Sequence, residues 1–188
     1  MNNNSSLPPI LLDLGGVTFQ ATGQSNATID WSVISPLNYK YGGKMSVGDV
    51  GLPIFLAEYN AATNQHLTEI EFLDAIWDTL EMNTELVNYL KSRYKIIIVS
   101  DNYRENIEYV AKRFDFASWA SQEFYSYDYG TLKKEPAFFE RLINELPYPP
   151  AELTLIDDSP HKLAAAATVG IKGILFRGTA GVITELER

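Results

Sequence analysis

An α/β fold built on a parallel β-sheet is the fold class that this sequence predicts. Four short runs are mostly apolar and show no clean alternation, which is typical of central strands covered by helices on both faces. Segments with apolar residues at helical spacing lie between these runs, and such alternation of strands with helices indicates an α/β fold. The 188 residues, 46% of them apolar, suffice for one buried core with a sizeable insertion.

The predicted elements follow one another along the chain. The strands are predicted at residues 10–14, 96–99, 153–156 and 171–176. Apolar residues recur at helical spacing from Ile107 to Phe114 and from Phe138 to Leu146, which predicts a helix in each segment. Ser159 followed by Pro160 predicts the cap and first position of a further helix.

Residues 18–83 interrupt this alternation, and we interpret them as a helical insertion after the first strand. Thr68 and Glu71 have the spacing of a capping box. Apolar residues at helical spacing follow it: Leu73, Ile76, Trp77 and Leu80. The front part of the insertion, residues 42–53, carries four glycines and a proline, and it is predicted to be irregular.

The charge balance excludes several classes of partner. The 15 Lys and Arg residues against 24 Asp and Glu residues give a net charge of −9, which repels the phosphates of nucleic acids and of anionic lipids. We therefore expect neither nucleic acid nor a membrane as a partner, whereas small anions are not excluded. The protein is expected to be a monomer or a homodimer.

The absence of cysteine limits the metal chemistry. It excludes disulfides and thiolate zinc sites, and two isolated histidines cannot form a nitrogen-rich cluster. A metal would therefore need oxygen ligands. No apolar run approaches the roughly 20 residues of a membrane span, and the Asn- and Ser-rich start lacks the pattern of a signal peptide. We interpret residues 1–9 as a disordered leader of a cytoplasmic protein.

Polar groups follow the ends of the predicted strands, and ligands of open parallel sheets bind at that edge. Asp13 is followed by the flexible pair Gly15 and Gly16, although an ordinary turn aspartate would also explain it. Residues 100–102, Ser-Asp-Asn, precede a helix and are consistent with an anion site or with ordinary N-cap residues. Lys133 and Lys134 precede another helix, and a solvated loop would explain them as well.

Two adjacent carboxylates, Asp157 and Asp158, lack such a simple explanation. Ser159 and Pro160 already account for the start of the helix that follows. Adjacent like charges at a buried strand end repel each other, and a divalent cation removes the conflict. Together with Asp13 the pair gives an all-oxygen set, which suits Mg²⁺ rather than zinc.

Along the chain, the polar groups after the predicted strands come in the order Asp, Ser, Lys and Asp-Asp. Through this order the chain resembles the haloacid dehalogenase-like hydrolase superfamily over residues 10–176. Four segments carry the resemblance: ILLDLGGV at 10–17, IIIVSDN at 96–102, GTLKKEP at 130–136 and LIDDS at 155–159. The resemblance implies a Rossmann-like three-layer core formed by residues 10–17 and 84–188. It also implies a small helical cap formed by residues 18–83.

The resemblance implies a phosphoryl-transfer role for the first aspartate. Asp13 would attack phosphorus and become an aspartyl phosphate. A Mg²⁺ ion, held by Asp13, the Gly15 carbonyl and Asp157 or Asp158, would offset the repulsion between an anionic nucleophile and an anionic phosphate.

The remaining motifs are implied to bind the phosphate. Ser100, Asp101 and Asn102 would form the phosphate-binding segment, with the Ser100 hydroxyl and the helix amides near Asn102 holding a non-bridging oxygen. Lys133 would neutralise charge on Asp13 and on the phosphoryl group, which gives it a catalytic as well as a binding role. Lys133, and not Lys134, has the family spacing from the start of its motif.

One departure from the family pattern concerns the general acid. Most phosphatases of the superfamily have a second aspartate two residues after the nucleophile, and here that position is Gly15. Loss of a general acid costs about 10²–10⁴-fold in rate. Substitute acids in the insertion are His66, Tyr59 and Tyr41, for each of which a structural role is the simpler interpretation.

Three functions follow from these observations. The leading hypothesis is a Mg²⁺-dependent phosphatase acting on a small phosphorylated metabolite. The second is a catalytically weak relative that binds a phosphorylated ligand or partner, and Gly15 is its main support. The third is a metal-free 2-haloacid dehalogenase, which Asp157 and Asp158 disfavour because a metal-free site for an anionic acid gains nothing from two carboxylates.

Overall fold

A computed structural model describes residues 7–188. Most of the predicted leader, residues 1–6, lies outside the described residues. Leu7 and Pro8 precede the first strand, whereas Pro9 already belongs to it and pairs with Lys95 of a neighbouring strand. The first strand therefore begins within the range predicted as leader.

A five-stranded parallel sheet lies at the centre of the fold, which confirms the predicted α/β class. The strands in chain order are β1 (Pro9–Leu12), β2 (Phe19–Ala21), β3 (Leu80–Met82), β4 (Lys95–Ser100), β5 (Gln122–Tyr125), β6 (Thr154–Asp157) and β7 (Lys172–Leu175). The sheet order is β5-β4-β1-β6-β7, while β2 and β3 form a separate antiparallel ribbon. Strands β1 and β6 are thus adjacent, so the residues that follow them meet at one edge.

Helices lie in the connections between the strands, and one more follows the last strand. They are α1 (Trp31–Leu37), α2 (Gly43–Ser46), α3 (Leu52–Thr63), α4 (Glu69–Trp77), α5 (Thr84–Lys91), α6 (Arg104–Arg113), α7 (Ser126–Tyr129), α8 (Pro136–Glu145), α9 (Pro160–Thr168) and α10 (Thr179–Leu186). Short 3₁₀ turns lie at Phe116–Ser118 and Pro150–Glu152. Within residues 7–188, none of the helices has the length and apolar character needed to cross a membrane.

Helices cover both faces of the sheet, and this explains why the strands lack alternation. One apolar cluster contains Leu11 of β1 and Ile97 of β4 together with Phe138 of α8. A second cluster contains the neighbouring Ile10 and Ile98, together with residues of α5 and α6. Because successive strand residues point to opposite faces, both must be apolar when both faces are buried.

The sequence does not predict β5, which lies at one edge of the sheet. Only Tyr125 of its four residues is buried, and Glu123 is exposed. An edge strand contacts one neighbour and does not need apolar residues on both faces. Its sequence therefore carries little of the signal that identifies the central strands.

The inserted segment, residues 18–83, begins and ends at the β2–β3 ribbon, where Phe19 is paired with Met82. Helices α1 to α4 lie between these two strands. The predicted capping box is present, because Thr68 Oγ1 accepts from the Glu71 amide and Glu71 Oε2 accepts from the Thr68 amide. Helix α4 ends at Trp77, so Leu80 lies in β3 and not on the helix.

The prediction of irregular structure over residues 42–53 is wrong for the first part of that range. A π-helical turn spans Asn38–Gly42, and α2 follows it directly. Tyr41 and Met45 are buried, and their packing stabilises these turns against the low helix propensity of glycine. Only the link between α2 and α3 is irregular, where Gly48 has a left-handed φ of 82°.

Candidate active site

Asp13 lies directly after β1 and is buried at the carboxyl edge of the sheet. Its amide donates to the Ile156 carbonyl of β6 at 3.1 Å, and its own carbonyl accepts from Thr18 Oγ1 at 2.6 Å. Asp13 Oδ1 also accepts from the Leu14 amide at 2.9 Å. These contacts fix one carboxylate oxygen and hold the backbone in place, so the side chain is positioned before any ligand arrives.

Lys133 is fully buried beside Asp13. Its ammonium lies 2.6 Å from Asp13 Oδ1, and it donates to Asp157 Oδ2 at 2.7 Å and to the Val99 carbonyl at 2.9 Å. An ammonium has three N–H donors, so this set of acceptors uses all of them. A buried charge is tolerated when it is paired and hydrogen-bonded in this way. Lys134, by contrast, is exposed.

Of the four predicted metal ligands, the three carboxylates come together at this edge. One carboxylate oxygen from each of Asp13, Asp157 and Asp158 lies within 4.8 Å of the other two. Gly16 permits the Asp158 carboxylate to lie against the backbone, because a Cβ at this position would collide with that carboxylate. The φ of Gly16 is 76°, which also favours glycine. All the donor atoms of this group are oxygens, and its three carboxylates carry more charge than the one buried lysine. The group therefore fits a hard divalent cation such as Mg²⁺.

The pKa of Asp13 is raised above its usual value, mainly because burial disfavours the charged form. The Lys133 ammonium opposes this rise, and the nearby Asp157 carboxylate adds to it. A bound divalent cation would oppose the rise as well, since it favours the ionised carboxylate. The ionised form of Asp13 therefore depends on the cations around it.

The Ser100–Asp101–Asn102 segment begins at the last residue of β4 and continues into the link to α6, as predicted. Ser100 is buried, and its hydroxyl makes no hydrogen bond with the rest of the described chain. The Asn102 amide is not free, however, because it donates to Ser126 Oγ at 3.1 Å. Asn102 Oδ1 accepts from Asn106 Nδ2 at 2.8 Å, so this side chain is turned toward α6.

The alternative in which these residues are N-caps does not hold, since the N-cap of α6 is Tyr103. Ser159, in turn, occupies the predicted N-cap position of α9, but its hydroxyl makes no capping hydrogen bond. Its amide donates to Asp157 Oδ1 at 2.9 Å instead. That contact orients the Asp157 carboxylate, which Lys133 holds from its other oxygen.

Comparison with known proteins identifies the family. The sequence pattern described as haloacid dehalogenase-like hydrolase matches residues 38–170, which is more than half of the chain. The chain belongs to this hydrolase family. The resemblance inferred from the four motifs is thereby confirmed, although Asp13 itself precedes the matched residues.

Solved structures of the haloacid dehalogenase family share the fold. An enzyme of the family from Bacteroides thetaiotaomicron, in complex with magnesium and inorganic phosphate, is 19% identical, with a TM-score of 0.77 over 97% of this chain and 100% of the other. A predicted family hydrolase from Porphyromonas gingivalis is 21% identical, with a TM-score of 0.76 over 97% and 98%. A 2-haloacid dehalogenase from Pseudomonas syringae pv. Tomato is 13% identical, with a TM-score of 0.56 over 90% and 86%. No curated protein matches the chain.

Lys162 also lies beside Asp13 and Asp101, although it is not among the residues predicted from the sequence. It lies in the first turn of α9, and its ammonium is 3.3 Å from Asp101 Oδ2 and 3.7 Å from Asp13 Oδ2. Burial alone would lower its pKa, but the carboxylates of Asp13, Asp157 and Asp101 raise that pKa above its usual value. The signal in the sequence is its place on the helix that starts directly after Asp157 and Asp158.

The candidate acids of the inserted segment have other partners. Tyr59 is fully buried, and its hydroxyl donates to the Thr28 carbonyl at 3.0 Å and accepts from the Asp30 amide at 2.9 Å. The Tyr41 hydroxyl is hydrogen-bonded to Glu58, and His66 is exposed. In the described part of the chain no hydrogen bond joins these three side chains to Asp13 or to its neighbours in the site.

A cavity of about 200 Å³ lies between the inserted segment and the start of α6. Its wall is mostly apolar and aromatic, with contributions from Trp31, Ile34, Met45, Phe55, Phe72 and Trp77. Asn106 also lines it, and this side chain accepts from Trp77 Nε1 at 2.7 Å while donating to Asn102. The wall of the cavity is therefore hydrogen-bonded to the Ser100–Asp101–Asn102 segment.

Proposed function

We propose that this family hydrolase is a Mg²⁺-dependent phosphatase that acts on a small phosphorylated metabolite through an aspartyl-phosphate intermediate. The observation that carries the proposal is the grouping of the Asp13, Asp157 and Asp158 oxygens within 4.8 Å around one buried lysine. Such a group has excess negative charge, which a divalent cation would balance, and the bound cation would in turn attract a phosphate.

In the proposed reaction, an Asp13 carboxylate oxygen attacks phosphorus. The new bond joins that oxygen to phosphorus while the ester oxygen leaves with its electron pair and takes up a proton. Water then hydrolyses the acyl phosphate, which releases inorganic phosphate and restores Asp13. Bound Mg²⁺ would supply electrostatic stabilisation of the charge on the transferred group.

The protein residues have separate tasks in this scheme. Lys133 holds Asp13 in one orientation and offsets its charge, because its three donors are fixed on Asp13, Asp157 and Val99. The Ser100 hydroxyl is free to donate to a non-bridging phosphate oxygen. Asp157 is already held by Lys133 and by the Ser159 amide, so Asp158 is the more available of the two as a direct metal ligand.

We further propose that residues 18–83 form the cap and that the organic part of the substrate faces the apolar cavity. A dry cavity of roughly 150 Å³ holds a benzene ring. The cavity of about 200 Å³ beside α6 therefore favours a small organic group with an apolar surface. A screen of aryl, alkyl and sugar phosphates with Mg²⁺ tests the function and ranks these classes together.

Two other functions remain as alternatives to be tested. A catalytically weak phosphate-binding protein would bind Mg²⁺ and phosphate without turnover of any ester. A metal-free dehalogenase, the activity named for one structural neighbour, would turn over 2-haloacids without a cation. The closeness of Asp158 to Asp13 disfavours the dehalogenase, because a third carboxylate beside the nucleophile repels an anionic acid when no cation is bound.

The protein is expected to bind one Mg²⁺ per chain and to be stabilised by it. Binding to the folded state alone raises the free energy of unfolding by mass action, about 2.7 kcal/mol at a hundredfold excess over Kd. Titration calorimetry and thermal unfolding with and without Mg²⁺ measure both effects. A folded protein that shows no binding up to several millimolar Mg²⁺ would contradict the phosphatase and favour the metal-free alternative.

Replacing Lys133 with Ala is expected to reduce turnover almost to background, whereas Lys134→Ala should change it by less than about threefold. The first change removes a buried cation that three acceptors share, and the second removes an exposed one. Steady-state phosphate release from an aryl phosphate compares the two, with thermal unfolding as the check that Lys133→Ala is folded. If Lys134→Ala reduced turnover more than Lys133→Ala, then Lys134 and not Lys133 would be the lysine that acts in the site.

A further inference from the structure

We propose that Lys162 is the lysine that binds the phosphate, because it donates to a non-bridging oxygen of the phosphoryl group that Asp13 attacks. Its ammonium lies 3.7 Å from Asp13 Oδ2 and 3.3 Å from Asp101 Oδ2. The proposal rests on the proposed function, since it assigns a partner to the phosphate of that reaction. It adds a residue that lies outside the four motifs of the sequence.

The two oxygens of Asp13 are held differently, and this places Lys162 on the reactive side. Oδ1 is engaged by Lys133 at 2.6 Å and by the Leu14 amide at 2.9 Å. Within residues 7–188, Oδ2 has only the longer contact with Lys162, so it is the oxygen that is free to attack. Phosphorus in a reactive position lies roughly 3–3.5 Å from the attacking atom, which brings its oxygens within reach of the Lys162 ammonium.

Lys133 cannot provide this contact without losing one of its own. Its three donors are taken by Asp13, Asp157 and the Val99 carbonyl. Lys162 has longer ion pairs, and 22% of its side chain is exposed, so its ammonium retains donor capacity and room to move. A lysine of this kind binds phosphate as a mobile point charge.

Asp101 does not need Lys162 for its own position. Its Oδ1 accepts from the Lys133 amide at 2.8 Å, which fixes the carboxylate from the other side. Four carboxylates surround the site, namely Asp13, Asp101, Asp157 and Asp158. With Mg²⁺ bound, Lys133 and Lys162 complete their neutralisation, and without Lys162 an arriving phosphate would meet a net negative site.

Binding of inorganic phosphate tests the proposal directly. Calorimetric titration of phosphate into the protein at saturating Mg²⁺ is expected to give a Kd for Lys162→Gln at least about tenfold above that of the wild type, because a charge-assisted hydrogen bond is lost. Lys162→Arg keeps the charge, and its Kd should stay within about threefold of the wild type. Lys134→Gln, an equal charge change at an exposed neighbour, should change the Kd by less than about twofold.

Affinity for Mg²⁺ and the unfolding temperature separate this role from a structural one, since both should be retained in Lys162→Gln. A wild-type Kd for phosphate in the folded Lys162→Gln variant would overturn the proposal and leave the phosphatase intact. Equal losses in Lys162→Gln and Lys162→Arg would also overturn it, because charge would then not be the cause. A wild-type protein that binds Mg²⁺ but no phosphate would contradict the proposed function itself.

Discussion

Asp13→Asn is expected to abolish turnover of phosphate esters, leaving less than a few per cent of the wild-type kcat, while the fold is retained. Asparagine keeps the shape of the side chain but removes the charge and the nucleophilic oxygen. The fold should tolerate the change because burial already disfavours the charged form of Asp13, and because Lys133 retains its contacts with Asp157 and Val99. Steady-state phosphate release and thermal unfolding measure the two properties.

Asp128→Asn is a matched control for this substitution. It makes the same chemical change at an exposed carboxylate, which pairs with the exposed Arg104 on the surface, so turnover should stay within about twofold of the wild type. A folded Asp13→Asn variant with more than a few per cent of the activity would show that Asp13 is not the nucleophile.

Gly15→Asp is expected to raise kcat/KM for alkyl phosphates by about 10²-fold or more and to change that for aryl phosphates little. A phenolate leaves readily, whereas an alkoxide is strongly basic and needs a proton that Gly15 cannot supply. The backbone admits the new side chain, because nothing lies within 4 Å of the position of a Cβ at residue 15, and the φ of this glycine is not left-handed. The ratio of kcat/KM for an alkyl and an aryl phosphate is the quantity to compare.

Gly15→Asn separates proton donation from a purely steric effect, since it has the same size without the acid. The alkyl-to-aryl ratio should rise for Gly15→Asp and stay near the wild-type value for Gly15→Asn. An unchanged ratio in a folded, Mg²⁺-binding Gly15→Asp variant would refute the account of the missing acid. It would indicate that another residue already supplies the proton, and neither Tyr59 nor Tyr41 has a free hydroxyl for this purpose.

Much of the core was predictable because buried parallel strands leave a strong signal in the sequence. The four predicted runs correspond to β1, β4, β6 and β7, and the predicted helices correspond to α6, α8 and α9. The capping box at Thr68 likewise marks the start of α4. The edge strand β5 and the turns around Gly42 were not predictable in this way, since their stability comes from neighbours distant in sequence.

The grouping of the site residues was predictable from topology alone. Parallel strands β1 and β6 are neighbours, so the residues after them meet even though about 140 positions separate them. The choice of Lys133 over Lys134 agrees with their burial. Lys162 was not predictable because its contacts depend on the direction of α9. The engaged Asn102 amide was not predictable because its acceptor, Ser126, lies in α7, beyond the next strand of the chain.

The most direct test of the proposed function is phosphate release from an aryl phosphate by the wild-type protein, measured with Mg²⁺ and again with a chelator. We expect turnover with Mg²⁺ that falls to background when the chelator is added and returns when Mg²⁺ is restored. A folded, Mg²⁺-binding protein that releases no phosphate would contradict the proposed phosphatase, and so would halide release from a 2-haloacid in the presence of the chelator.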